Sequence, residues 1–179
     1  MKSIFKKINT NNPGFTLLEM LFAVIIFSFA LVSLMTIAGK GVIATASARD
    51  QLVAQFLAEE SLEVARNIRD SNYVNGNDSW VNGLTQCIDV AVCDIEYTLG
   101  AKPQLTACSS GGCNGRILYN NQGQYRPGAD QGGIATSYWR ELKITTIVPD
   151  EELLMEATVY WKQKTLNRQM TVRTRIANW

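Results

Sequence analysis

The sequence predicts an α+β fold, in which a long N-terminal membrane-spanning helix packs against a small antiparallel β-sheet. Three observations lead to this prediction. Phe15–Ala38 is almost entirely apolar, and Val42–Asp70 contains no proline and is rich in good helix formers. From Tyr138 onward, apolar and polar side chains alternate with the period of two that is typical of half-buried strands. A chain of 179 residues has room for one domain and an anchor.

The apolar run Phe15–Ala38 is long enough to cross a membrane, and Glu19 is its one residue that can carry a charge. As a helix it would reach roughly 36 Å, against a hydrocarbon core of about 30 Å. The lysines that precede it favour a cytoplasmic amino terminus. A carboxylate inside a membrane helix costs roughly 2.5 kcal/mol or more. We therefore expect Glu19 to meet a cationic group.

The stretch Gly14-Phe15-Thr16-Leu17-Leu18-Glu19 follows a short basic leader and opens the apolar helix. In this arrangement it resembles the cleavage and methylation motif of type IV prepilins and type II secretion pseudopilins. The resemblance implies that a prepilin peptidase cuts between Gly14 and Phe15 and methylates the new amino group of Phe15. It also implies that Glu19 neutralises the terminal amine of a neighbouring subunit during assembly.

The function implied by this resemblance is that of a structural subunit, most like a minor pilin, in a type IV pilus or related filament. The implied partners are prepilin peptidase, other pilin subunits, the pilus assembly platform in the membrane, and membrane lipid before assembly. The protein would cross the cytoplasmic (inner) membrane once, with its N-terminus inside, and then enter an extracellular or periplasmic filament. A type II secretion pseudopilin and a membrane-anchored surface binding domain that does not polymerise remain alternatives.

Two other kinds of N-terminal segment explain the sequence less well. An ordinary signal peptide could be cut at Ala46-Ser47-Ala48, but the apolar run exceeds the usual apolar region of about 7–15 residues. An uncleaved signal anchor is the second. Neither explains Glu19, and neither requires Gly14 before Phe15. The prepilin interpretation is therefore favoured.

The predicted layout has five parts, and the second half of the helix links the anchor to the sheet. These parts are a leader (1–14), a transmembrane or filament-core helix (15–38), its amphipathic continuation (39–70), a variable loop-rich region with the cysteines (71–137), and an antiparallel β-meander (138–179). The continuation has an apolar stripe that is predicted to face the sheet. The stripe consists of Val53, Phe56, Leu57, Val64 and Ile68. Its charged residues are predicted to face solvent, and they are Glu59, Glu60, Glu63, Arg66 and Arg69. Asp70-Ser71-Asn72 is expected to end the helix.

Gly39 and Gly41 are the weakest helix formers in this stretch, each about 1 kcal/mol less favourable than alanine. They either mark the exit from the membrane or allow the helix to bend.

All four cysteines, Cys87, Cys93, Cys108 and Cys113, lie in the loop-rich region. Their spacing fits a zinc site poorly, and the chain has no histidine, so no metal or cofactor is predicted. A location outside the cytoplasm favours disulfides. Four cysteines allow three pairings, of which Cys87–Cys93 and Cys108–Cys113 are favoured because they close short loops.

Strands are predicted in two regions. One strand lies within Cys87–Tyr97, and a hairpin joins Ile117–Tyr119 to Gln124–Arg126 through Asn120–Gly123. Three further strands form the meander, with turns at Pro149-Asp150-Glu151 and Gln163-Lys164-Thr165.

Composition argues against two other functions. No nucleophile elbow, phosphate loop or metal signature is present, so we expect no enzymatic activity. A net charge of +1 gives no electrostatic support for general nucleic-acid binding. Arg168, Arg173 and Arg175 could form a basic stripe for nucleic acid, but without interleaved aromatic residues a solvated sheet face is favoured.

Overall fold

The computed structural model describes residues 14–76, 79–97, 102–109, 112–128 and 133–178. The predicted leader lies outside the described residues apart from Gly14. The chain divides into two compact units, with the boundary between Ala46 and Ser47. One α-helix, α1 (Leu17–Val74), supplies the described elements of the first unit and continues into the second. The helix is continuous through Gly39 and Gly41.

In the second unit α1 packs against a five-stranded antiparallel sheet. Its strands are β1 (Cys93–Glu96), β2 (Gln104–Ala107), β6 (Trp139–Val148), β7 (Glu152–Gln163) and β8 (Leu166–Ala177), in the order β2-β1-β6-β7-β8. The predicted α+β architecture is therefore confirmed. The sheet is wider than the predicted meander, because β1 and β2 add to the β6 side.

A second, three-stranded sheet contains the predicted hairpin. Its strands are β3 (Leu118–Asn121), β4 (Gln124–Pro127) and β5 (Ile134–Ala135), in the order β4-β3-β5. The hairpin turn is shorter than the predicted loop and consists of Gln122 and Gly123, both at positive φ. Such a two-residue turn suits the twist of the flanking strands and favours glycine. The Asn120 side chain braces it by accepting the Gly123 N–H at 2.9 Å.

The face of α1 that packs on the sheet differs from the predicted stripe. Its buried positions are Ala54, Leu57, Ala58, Ser61, Leu62, Ala65 and Asn72. Phe56, placed in the stripe by its apolarity, is 66% exposed, while Val53, Val64 and Ile68 border the core. Small side chains let the helix backbone approach the sheet closely. A pattern search that weights large apolar residues therefore misses the centre of the face.

The helix also continues past the predicted stop at Asp70-Ser71-Asn72. Asn72 is buried, and its side-chain amide donates to the carbonyls of Trp80 and Asn82, at 3.0 and 2.8 Å. Since these bonds occupy the amide N–H groups, they do not compete with the helix backbone. Asn72 therefore ties the end of α1 to the following loop.

The inner face of the large sheet completes the core. Along β7 every second residue is buried, from Leu153 to Trp161. On the outer face Arg173 pairs with Glu156 at 2.5 Å, and Arg175 pairs with Glu152 at 3.3 Å. Arg168 lies opposite the buried Trp161 and so belongs to the other face of β8. The three arginines therefore do not form one basic stripe.

Candidate processing and assembly site

The start of α1 is set by Thr16, which caps the helix and opens the stretch Thr16-Leu17-Leu18-Glu19. Thr16 lies just before the helix, and its Oγ1 accepts the backbone N–H of Glu19 at 3.2 Å. Its carbonyl accepts the N–H of Met20 at 3.1 Å. Threonine followed three residues later by glutamate is the recognised signature of a helix start. Sequence reasoning missed this role of Thr16, although the spacing alone carries the signal.

The Gly14–Phe15 junction precedes the helix and is open to solvent. Gly14 and Phe15 are outside helical structure, and Phe15 is 77% exposed. A Cβ added at Gly14 would meet no atom within 4 Å, and the backbone there is not at positive φ. The fold itself therefore gives no reason for a glycine at this position.

The apolar part of α1 satisfies its hydroxyl groups internally. Each donates to the carbonyl four residues earlier: Ser28 to Val24 at 2.7 Å, Ser33 to Phe29 at 2.9 Å, and Thr36 to Val32 at 2.9 Å. Such bonds are how polar side chains are accommodated in lipid. Glu19 is exposed along with the rest of this segment. Glu19 is thus the one charged side chain in Phe15–Ala38, and this segment contains no lysine or arginine that could pair with it.

Comparison with known proteins agrees with this geometry. Residues 9–35 match the prokaryotic N-terminal methylation motif. The chain carries the type IV prepilin leader signature. Its presence supports a type IV pilin-like or pseudopilin-like protein and implies processing by prepilin peptidase and assembly with other pilins. Comparison with curated proteins and with solved structures gave no match.

The helix α1 also fits the membrane location that this leader signature implies. Within the described residues, α1 is one helix that is long and apolar enough to cross a membrane. Together with the leader signature, it fits a protein anchored in the inner membrane. The motif points to a structural protein rather than an enzyme.

In the second unit, a buried ion-pair network joins α1 to two strands. Arg140 on β6 is 1% exposed, and its Nε donates to Asp94 Oδ1 on β1 at 2.7 Å. Its Nη1 donates to Glu60 Oε2 on α1 at 2.5 Å. Glu60 was predicted to face solvent, which is wrong, because it also accepts the hydroxyl of Tyr97. Asp94 and Arg140 were not singled out from sequence, because no local pattern marks a buried charge pair.

The electrostatics of the network keep Arg140 and Tyr97 in their ordinary charge states. Burial by itself would lower the pKa of the Arg140 guanidinium, but the charges of Asp94 and Glu60 outweigh burial and raise the pKa. Burial is the main reason that the pKa of Tyr97 rises to about 12. At neutral pH Arg140 is therefore charged and Tyr97 is protonated. The network fastens the helix to the sheet rather than supplying a group poised for proton transfer.

The cysteines lie in two disulfides of the second unit. Cys87 bonds to Cys93 with S–S 2.02 Å, and Cys108 bonds to Cys113 with S–S 1.92 Å. This is the pairing favoured from the sequence. The first disulfide joins the end of a short 3-10 helix (Thr85–Cys87) to β1 inside the core. The second closes a loop against the sheet, where the Cys113 N–H donates to Glu141 at 2.8 Å.

Among the described residues, no group of three or more cysteine or acidic side chains is placed to hold a metal ion.

Proposed function

We propose that this chain is a minor pilin, a structural subunit of a type IV pilus or related filament, processed after Gly14. The observation that carries the proposal is the position of Glu19. It lies one turn from the exposed Gly14–Phe15 junction, in the apolar part of α1, where the serine and threonine hydroxyls bond to the helix backbone. A free amine at Phe15 is the group that such a carboxylate would meet.

Cleavage at this junction would create a new charge beside the helix end. The amine of Phe15 would add a positive charge where the helix dipole is already positive, which is unfavourable by about 0.3–1 kcal/mol. The Glu19 carboxylate of a neighbouring copy would neutralise this amine. Two such charges about 4 Å apart gain roughly 4 kcal/mol at an effective dielectric near 20, which exceeds the cost at the helix end.

The same contact would set the register between subunits. Each apolar helix could slide along its neighbour with little change in packing energy, because its surface is apolar throughout. Pairing the Phe15 amine with Glu19 of a neighbouring copy fixes one relative axial position of the two helices. A minor role is favoured by resemblance, because Phe15–Ala38 has no proline and the loop-rich region carries cysteines.

The test is a Glu19→Gln substitution in the full chain, expressed in cells that assemble such filaments. Glutamine matches glutamate in size and removes the charge. We expect insertion into the membrane and cleavage after Gly14 to continue, while the amount of the chain in the sheared filament fraction falls at least about tenfold, the equivalent of losing 1.4 kcal/mol.

Two controls separate processing from assembly. Gly14→Val is expected to block cleavage, whereas Gly14→Ala is tolerated far better, as seen from the mass and first residue of the isolated protein. If Glu19→Gln enters filaments as well as the unchanged chain does, the assembly mechanism is wrong. A mature protein that begins at Met1 or Arg49 would contradict the prepilin assignment itself.

A further inference from the structure

The two ends of the large sheet carry opposite charges. The turn between β7 and β8, at Lys164 and Thr165, lies at one end. The turn between β6 and β7, which contains Asp150 and Glu151, lies at the other. Because β7 spans Glu152–Gln163, the two turns are separated by roughly 35 Å of extended strand.

The β7–β8 turn is basic and has an apolar tip. Lys162, Lys164 and Arg168 are exposed, and no acidic residue occurs from Tyr160 to Met170. Within the described residues, these three cations make no ion pair. Leu166 is 58% exposed and pairs with Gln163, so the ladder holds it at the end of the sheet.

The β6–β7 turn is acidic and also has apolar neighbours. Asp150 and Glu151 are exposed and, in the part of the chain that the structure describes, pair with no cation. Asn178 braces this turn, donating its backbone N–H to the Glu151 carbonyl at 2.8 Å and its side-chain amide to the Asp150 carbonyl at 3.0 Å. Ile147 and Val148 beside the turn are 39% and 37% exposed.

The two turns are displaced along the axis of α1. The Tyr138 hydroxyl, next to β6, donates to Asp50 at 3.3 Å, and Ser137 donates to the Lys162 carbonyl at 3.4 Å, which places the basic turn near Asp50. At the other end, Arg69 donates to the Ala177 carbonyl at 3.4 Å. From Asp50 to Arg69 a helix rises by roughly 29 Å. The two charged ends therefore lie at different heights along the helix.

We infer that copies of this chain stack end to end, with the basic β7–β8 turn of one copy on the acidic β6–β7 turn of the next. Leu166 would pack on Ile147 and Val148, and Lys164 would lie beside Glu151. Opposite charges select this partner, and the exposed apolar residues give the contact a dry centre. A contact between two different surfaces of one chain gives an open filament whenever its rotation does not close into a ring.

This inference rests on the proposed function but concerns a different surface, so the two can fail separately. The first experiment uses two full chains coexpressed in assembling cells, one with Leu166→Cys and the other with Val148→Cys. Since the four native cysteines are in disulfides, the new thiols have no native thiol partner. A disulfide forms only when the two Cα atoms come within about 7 Å.

We expect a cross-linked dimer in the sheared filament fraction only when both chains are present. Mass spectrometry should identify the peptides that contain positions 166 and 148. The matched control pairs Leu166→Cys with Thr171→Cys, an exposed position in the middle of β8. About tenfold less cross-link is expected for this control, because position 171 lies outside the proposed contact.

The second experiment exchanges the charges. Lys164→Glu or Glu151→Lys alone would place like charges together and should reduce the 166–148 cross-link about tenfold. A chain that carries both changes should recover most of it, because every contact again joins opposite charges. Both turns are exposed, so neither substitution is expected to disturb the core.

The outcomes separate the two proposals. Chains that enter the sheared fraction with no 166–148 cross-link would contradict the end-to-end contact and leave the Glu19 mechanism standing. A cross-link that is unaffected by the charge reversals would also overturn it. Retention of single-variant chains on vesicles of anionic lipid, with the cross-link absent, would assign the basic turn to a membrane surface instead.

Discussion

At the scale of single residues, Arg140 and Asp94 form the most deeply buried ion pair among the described residues of the second unit. Both side chains are almost fully buried, at 1% and 0% exposure. The Asp94 carboxylate also accepts the N–H of Ile95 at 2.7 Å. Pairing offsets the free-energy cost of removing these two charges from water. Removing one of them leaves the other buried charge without that compensation, which is costly.

We therefore predict that Asp94→Asn destabilises the second unit by about 3 kcal/mol or more. Glu63→Gln is the matched control. It removes a carboxylate from an ion pair with Arg66 in which Glu63 is 72% exposed, and should cost less than about 0.5 kcal/mol. Tryptophan fluorescence during denaturation in detergent measures both, because every tryptophan lies in the second unit. Equal losses for the two variants would contradict the role given to the buried pair.

At the scale of elements, the contact between α1 and the sheet depends on small residues. Ala54, Ala58 and Ala65 are fully buried, and Ser61 donates its hydroxyl to the Leu57 carbonyl at 3.1 Å. Close packing of this kind tolerates added volume poorly, because the sheet opposite cannot withdraw without breaking its own ladder. The exposed side of the same helix has no such restriction.

Ala58→Leu is accordingly predicted to destabilise the second unit by about 1–3 kcal/mol, despite the higher apolarity of leucine. Phe56→Leu, two residues away and largely exposed, should change stability by no more than about 0.5 kcal/mol. The same fluorescence titration compares the two variants. A neutral Ala58→Leu would show that the helix face is loosely packed.

At the scale of the whole molecule, the disulfides make stability depend on the compartment. Each closes a short loop and is expected to contribute about 2 kcal/mol through the unfolded chain. Cys87 and Cys93 are also fully buried members of the core, whereas Cys108 is only half-buried. The first disulfide should therefore matter more to folding than the second.

We predict that peptide mapping of the exported protein without reduction links residue 87 to 93 and residue 108 to 113. Replacing Cys87 and Cys93 together by serine should lower the midpoint of denaturation more than replacing Cys108 and Cys113, since it buries two hydroxyls in an apolar core. A link between an early and a late cysteine, or the reverse order of stability, would refute this account.

The sequence by itself determined the features that depend on neighbours along the chain. Gly14, Phe15 and Glu19 indicate the processing motif. The period of two from Tyr138 onward predicts the strands of the meander. These are local signals, set by helix length, apolarity and alternation. The helix cap at Thr16 belongs to the same class.

Only the tertiary structure decided the contacts between residues far apart in the chain. The attachment of Glu60 to Arg140 and Asp94 joins three elements, and no spacing rule connects their positions. Alanines, and not the predicted Phe56, lie on the buried face of α1, because the helix approaches the sheet closely. The strand register places the basic β7–β8 turn and the acidic β6–β7 turn at opposite ends of the sheet, and the sequence alone does not show this arrangement. Burial and pairing are properties of three-dimensional neighbours, and those neighbours exist only in the folded chain.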